Sequence, residues 1–416
     1  MSVYKLATAG SVDDGKSTLI GRILYDTGSL TEDKIQAIEQ KSRVNGFDYV
    51  DFSLATDGLV AEREQGITID VAHIYFAYKG TSFIIADTPG HAEYTRNMIT
   101  GASTSQASLI LVDARNGVSE QTYRHFFINQ LLQKRRVIVC INKMDLVDYD
   151  QDKYEDIVKY VSYLSEKFGF ENQKLDFVPV SALKGENLIS SSQSMHWYKG
   201  KPLMDLILED SKSVSREREA MRFPIQHVLR PKQGEFHDYR AYAGKVYGDT
   251  IRKGDSVMVY PSLQKAKVSS IHVFEGEIEH AQPNTSVSIQ LDREVNLSRG
   301  DLLVKEGENT MVSKNIQSKL CWMDAQPLEE GKIYLFRHGP KEIKSKVISI
   351  DGIYDITDGS IRKADNRVAA LNEIALVSLK LSAEVYFDSF CENSANGHFV
   401  LIDPKTNNTS GLGFYQ

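Results

Sequence analysis

The chain has 416 residues, 41% of them hydrophobic and 25% charged, with a formal net charge of −7; at roughly 100–200 residues per domain, this predicts two to four folded domains and excludes a mainly disordered chain. The acidic balance argues against a general nucleic-acid surface, no apolar run reaches the ~18 residues a membrane helix needs, and residues 1–10 lack the basic-then-apolar pattern of a secretory signal. The scattered cysteines Cys140, Cys321 and Cys391 suit neither a disulfide framework nor structural zinc, so a reduced, cytoplasmic protein is expected, with no nucleic acid and no membrane among its partners.

Val3–Ala9 reads as a strand, and a glycine turn follows it into a helix over Lys16–Tyr25. Val71–Tyr78 and Thr81–Ala86 read as strands joined through Lys79-Gly80, a hairpin signal. Ser108–Asp113, Arg136–Asn142 and Phe177–Val180 are Val- and Ile-rich buried-strand candidates, with helical patterns at Gln121–Leu132 and Tyr154–Phe168. Strands alternating with helices predict an α/β domain with a doubly wound, mostly parallel sheet. The polar run Ser211–Glu219 reads as a linker. Beyond Arg222 the pattern changes to short alternating segments broken by Gly, Pro, Asn and Asp, as at Ala241–Tyr247, Ser256–Tyr260, Val268–Phe274 and Ser286–Leu291. A second such stretch starts near Thr310, with Lys332–Phe336, Ser345–Ile350 and Ala375–Leu381 as strands. Both predict antiparallel β-barrels, giving domains over residues 1–215, 216–308 and 309–416.

Gly10-Ser11-Val12-Asp13-Asp14-Gly15-Lys16-Ser17, followed by Thr18, fits GxxxxGK[ST] between a strand and a helix, the context this phosphate-binding motif requires. Its glycines let backbone N–H groups curl around phosphates at a helix N-terminus. Lys16 is expected on the β- and γ-phosphates and the Ser17 hydroxyl on Mg²⁺. Asp87-Thr88-Pro89-Gly90-His91 ends another strand; a carboxylate buried there needs a partner, which Mg²⁺ supplies through water. Gly90 is free to turn its N–H toward a γ-phosphate. Asn142-Lys143-Met144-Asp145 closes the next apolar strand, where a carboxylate can accept the N1–H and N2–H₂ edge of guanine. Ser181-Ala182-Leu183 can offer a backbone N–H to guanine O6. Between the first two motifs lies Glu62-Arg63-Glu64-Gln65-Gly66-Ile67-Thr68-Ile69-Asp70, the place for a nucleotide-sensing switch, with Thr68 as a second hydroxyl for Mg²⁺. Each motif alone has a bland reading as a turn or a solvated face; together and in this order they predict GTP and Mg²⁺ as the ligands.

Gly66-Ile67-Thr68-Ile69, Asp87–His91 and the two barrel regions resemble the translational GTPases of the elongation factor Tu kind. The finer resemblance is to the GTPase subunit of bacterial sulfate adenylyltransferase. It rests on residues 12–18, 24–26, 61–72, 83–91, 95–98, 100–104, 141–149, 221–224 and 297–303, and so covers essentially the whole chain. Asp14 stands where elongation factor Tu typically has His, and Tyr239–Gly244 differs from the elongation-factor pattern; Ala241 replaces a glycine the sulfate family carries. The resemblance implies phosphate and magnesium binding by Lys16, Ser17, Thr68 and Asp87, γ-phosphate sensing by Gly90, and water positioning by His91, with Val12 and Ile67 as an apolar gate. Lys16 and Thr68 join His91 in the implied catalytic set. It further implies GTP hydrolysis coupled to adenosine 5′-phosphosulfate formation on a separate small catalytic subunit, since no second phosphate loop occurs here. The alternatives are an elongation factor delivering aminoacyl-tRNA and a stand-alone regulatory GTPase. Arg22, Arg63 and Arg96 lie near the switches, and spacing singles out none as an arginine finger.

Overall fold

A computed structural model describes residues 3–11, 13–56, 71–89, 95–169, 173–213, 219–230, 240–355, 359–364 and 367–415. Val12, Ile67, Thr68, Gly90 and His91 therefore lie outside the described residues, as do Arg63 and the Arg96 side chain. The chain divides into two compact units, Met1–Arg216 with Asp355–Ser360, and Glu217–Tyr354 with Ile361–Gln416.

The first unit is built on strands β1 (Tyr4–Ala9), β2 (Ala72–Tyr78), β3 (Thr81–Asp87), β4 (Ala107–Asp113), β5 (Arg136–Asn142) and β6 (Lys174–Pro179), in the order β2-β3-β1-β4-β5-β6. Only β2 and β3 run antiparallel; the other neighbours are parallel. β4 and β5 are buried at every position, which is why they read as unbroken apolar runs. The β2–β3 hairpin turns at Lys79 (φ 45°) and Gly80 (φ 77°), two left-handed residues that match strand twist. The structure extends the strand expected at Phe177–Val180 back to Lys174.

The chain leaves β1 for one side of the sheet and returns to the other side through β4. The reversal falls at β1, so the crevice beyond the carboxyl ends of β1 and its neighbours is where a ligand belongs. Helices Lys16–Asp26, Glu120–Leu131 and Gln151–Phe168 match the sequence expectation closely. Glu32–Val44, Thr95–Ser103 and Leu203–Ser213 are additional helices, and the last occupies the start of the expected linker. No helix among the described residues is long and apolar enough to cross a membrane.

The second unit contains two closed antiparallel rings. In the first, Ser256–Tyr260, Leu302–Lys305, Arg222–Leu229, Ala241–Lys245, Ser286–Leu291 and Gln264–Val273 pair in turn, and Gln264–Val273 pairs back with Ser256–Tyr260. In the second, Ile333–His338, His398–Ile402, Thr409–Tyr415, Met311–Trp322, Ile374–Phe387 and Lys341–Tyr354 close in the same way. Phe223, Ile225, Tyr242 and Val259 fill one barrel; Trp322, Phe336, Val347 and Phe399 fill the other.

Candidate active site

The loops after β1, β3, β5 and β6 gather at the carboxyl edge of the sheet. Gly15 takes a left-handed conformation (φ 91°, ψ 30°) and opens helix Lys16–Asp26. A side chain there could not be housed, because a Cβ on Gly15 would sit 2.5 Å from Asn142 Nδ2. Lys16 is buried and folds back over the loop, donating from Nζ to the Gly10 carbonyl at 2.6 Å and the Ser11 carbonyl at 2.9 Å. Burial pushes its ammonium pKa down, opposed by the charges of Asp87 and Asp14. The Ser17 hydroxyl has no hydrogen-bond partner among the described residues.

Asp14 shapes the loop from within. Its Oδ2 accepts the Ser11 N–H at 2.5 Å, and burial pushes its carboxyl pKa up to about 6, opposed by that N–H and by Lys16. Asp87 is buried at the end of β3, where Thr8 Oγ1 donates to its Oδ1 at 2.9 Å. Thr88 is fully buried and donates its hydroxyl to the Thr8 carbonyl.

The loop after β5 is fastened to the Gly10–Ser17 loop and, through Asn142, to the loop after β6. Asn142 Nδ2 donates to the Asp14 carbonyl at 2.8 Å, while its Oδ1 accepts the Ala182 N–H at 2.9 Å. Lys143 is left-handed (φ 62°), donates to the Asp13 carbonyl and pairs with Asp113 at 3.0 Å. Asn142 and Met144 are buried, whereas Lys143 and Asp145 are half-exposed. The Asp145 carboxylate makes no hydrogen bond or ion pair among the described residues. In the following loop Ser181 Oγ accepts the Lys184 N–H, and the Ala182 N–H is engaged by Asn142. The Leu183 N–H is the donor of this tripeptide left without a bond among the described residues.

Several site residues escaped the sequence reading. Thr8 and Asp113 are strand-end polar residues in apolar runs, the same signal that singled out Asp87. Ser119 bonds Ser11 Oγ to Oγ at 2.8 Å and caps helix Glu120–Leu131 in a box with Thr122, a pattern legible as Ser-x-x-Thr. His125 on that helix is fully buried, its pKa pushed down to about 3 by burial and by Lys16. Arg22 is bound to Asp26 at 2.8 Å and to the Leu183 carbonyl at 2.9 Å, with its guanidinium 5.1 Å from the Phe52 ring centroid. These contacts make Arg22 a brace for the Ser181–Leu183 loop.

Residues 1–213 match the family described as the elongation factor Tu GTP binding domain, and residues 315–416 match the GTP-eEF1A C-terminal domain-like family. Sulfate adenylyltransferase subunit 1 of Bacteroides thetaiotaomicron is 42% identical over 421 residues, covering 99% of this chain and 85% of that protein. A bifunctional enzyme CysN/CysC of Mycobacterium tuberculosis is 40% identical over 414 residues, covering 99% of this chain and 67% of that protein. In fold, the chain resembles the Saccharomyces cerevisiae Ski7 GTPase-like domain bound to GDP and inorganic phosphate, with a TM-score of 0.54 at 18% identity, covering 99% of this chain and 97% of that one.

Proposed function

Because the chain belongs to the sulfate adenylyltransferase subunit 1 family, within the elongation factor Tu class of GTP-binding proteins, we propose that it hydrolyses GTP with Mg²⁺ to drive adenosine 5′-phosphosulfate formation from ATP and sulfate on a separate small catalytic subunit in the cytoplasm. The observation that carries this reading is Asn142, which holds the Asp14 carbonyl of the phosphate loop and the Ala182 N–H of the base loop at once. One side chain thus joins the loop read as phosphate-binding to the loop read as base-binding, which supports a single nucleotide site.

The loop Gly10–Ser17 wraps the phosphates with backbone N–H groups, and Lys16, already held over the loop, releases its carbonyls to meet the β- and γ-phosphates. Ser17, Thr68 and Asp87 form the magnesium set. The residues present fit a hard cation: Ser17 offers an unengaged hydroxyl and Asp87 a buried carboxylate. The ion when bound neutralises charge on the phosphate oxygens. Asp145 accepts the guanine N1–H and N2–H₂ pair with a carboxylate that makes no hydrogen bond or ion pair among the described residues. Within Ser181–Leu183, the Leu183 N–H is the donor free to meet guanine O6. Gly90 reads the γ-phosphate and His91 orients the attacking water. The nucleotide domain ends near residue 215, with barrels over 216–308 and 309–416.

The test is sulfate-dependent pyrophosphate release from ATP, using this chain with its co-purified partner, with and without GTP. GTP raises the product yield with the parent chain, and Lys16→Ala abolishes the gain. A yield indifferent to GTP sinks the proposal.

A further inference from the structure

We propose that the cleft between the two barrels is a second ligand site, which binds a small molecule carrying phosphate or sulfate groups. The cleft has a volume of about 470 Å³, within the ~300–1,000 Å³ range of small-molecule sites. One wall comes from the first barrel and carries Arg299 and Asp301; the other carries Arg337, His338 and Lys341. Two arginines and a lysine against one carboxylate make a local excess of basic groups in a chain of net charge −7, although burial lowers the Lys341 pKa.

The cations have donors to spare. The Arg337 side chain makes no hydrogen bond or ion pair among the described residues. Arg299 has one long contact, Nε to the Pro340 carbonyl at 3.5 Å. Lys341 Nζ donates to the Glu384 carbonyl at 2.8 Å and lies 5.6 Å from the Tyr386 ring centroid, which leaves further N–H groups for a ligand. The single acid is turned into its own loop, where Asp301 Oδ2 accepts the Ser298 N–H at 2.7 Å. Burial raises the Asp301 pKa, opposed by the Ser298 N–H and by the Lys341 charge. A guanidinium presents a planar fork of N–H donors that matches two oxygens of a phosphate or sulfate.

The walls are fixed before any ligand arrives. Arg222 of the first barrel donates from Nε and Nη2 to Asp388 of the second, each at 2.8 Å. Asp388 Oδ2 accepts from Asn396 Nδ2 at 2.6 Å, and Asn396 Oδ1 lies 3.1 Å from His338 Nε2. Asn396 and His338 both line the cleft, so a buried network sets its shape. Preorganisation of this kind lowers the cost of binding. A lone oxyanion would fill a small part of the space. Tyr247 and Tyr386 also line it and give flat surfaces for a nucleoside.

The inference goes beyond the GTP reading and is tested with the first site occupied. The full chain is saturated with GDP and Mg²⁺ and titrated calorimetrically with ATP, adenosine 5′-phosphosulfate, pyrophosphate and adenosine. A GDP isotherm that is missing at the outset reports on the first site alone. ATP and the phosphosulfate should bind, adenosine should not, and raised salt should weaken binding. Arg299→Ala with Arg337→Ala, both at exposed positions, should reduce affinity at least ~10-fold and leave GDP binding unchanged. Pyrophosphate binding as tightly as ATP upholds the site and assigns it to a free anion; tighter ATP assigns it to a nucleotide. The proposal is overturned if neither ATP nor pyrophosphate binds the GDP-filled chain, if the double substitution has no effect, or if adenosine binds as well as ATP.

Discussion

Asp14 places a carboxylate inside the loop that is to face a triphosphate. Burial raises its pKa from 3.8 to about 6, so the folded chain holds this proton more tightly than the unfolded one. The stability this adds is present below pH 3.8 and is lost as pH rises through about 6. A bound triphosphate adds negative charge beside the carboxylate and raises its pKa further, so GTP binding takes up a proton. GTP affinity should therefore fall as pH is raised from 5.5 to 7.5, by about 3- to 10-fold, or roughly 0.7–1.4 kcal/mol. Asp14→Asn keeps an oxygen for the Ser11 N–H and removes the charge. It should bind GTP more tightly at pH 7.5 and flatten the profile, as a titration series with a fluorescent analogue would register. Equal affinities of the two proteins at pH 7.5 would contradict this account.

At the scale of elements, Asn142 couples two loops through two buried hydrogen bonds. Asn142→Ala leaves the Asp14 carbonyl and Ala182 N–H without that partner, at a cost of about 1–3 kcal/mol. The expected readout is a lower unfolding midpoint for the first unit together with weaker GTP binding; loss of one without the other would show that the loops are not coupled. The strands and motifs around this residue were legible because buried parallel strands are continuous apolar runs and phosphate loops need glycines at fixed spacing. Asn142 read as part of a base-recognition motif; that its amide grips the phosphate loop depends on residues 128 apart in sequence, which spacing does not convey. Helix Glu32–Val44 was not legible, since Ile38 and Ser42 are its buried residues and no apolar stripe forms. The barrel strands read short for a different reason. Lys341–Tyr354 was expected as Ser345–Ile350, but register shifts between Val347 and Ser349 and between Ile350 and Gly352 break the two-residue alternation.

At the scale of the whole molecule, the second unit is tied across its two barrels by Arg222 and Asp388, whose side chains are 2% and 7% exposed. Removing Asp388 leaves Arg222 with Glu308 at 3.1 Å as its remaining carboxylate and takes the acceptor from Asn396 Nδ2, at a cost of about 1–3 kcal/mol. Asp388→Ala should lower the calorimetric unfolding transition of the barrels, and joint replacement by Arg222→Met and Asp388→Leu should recover most of the loss. A transition unmoved by Asp388→Ala would show that the pair contributes nothing. The rings themselves bear on how the protein is made. Leu302 pairs with Pro224, and Tyr415 pairs with Ser318, so each barrel closes only after its last strand has been synthesised. Thr409–Tyr415 is flanked on both sides, by His398–Ile402 and Met311–Trp322. Until it leaves the ribosome, both of those strands present open edges to other chains. The first unit, whose six strands are complete by Pro179, can fold while the barrels are still being translated. The period of greatest aggregation hazard therefore precedes the synthesis of Thr409–Tyr415 and belongs to the second barrel.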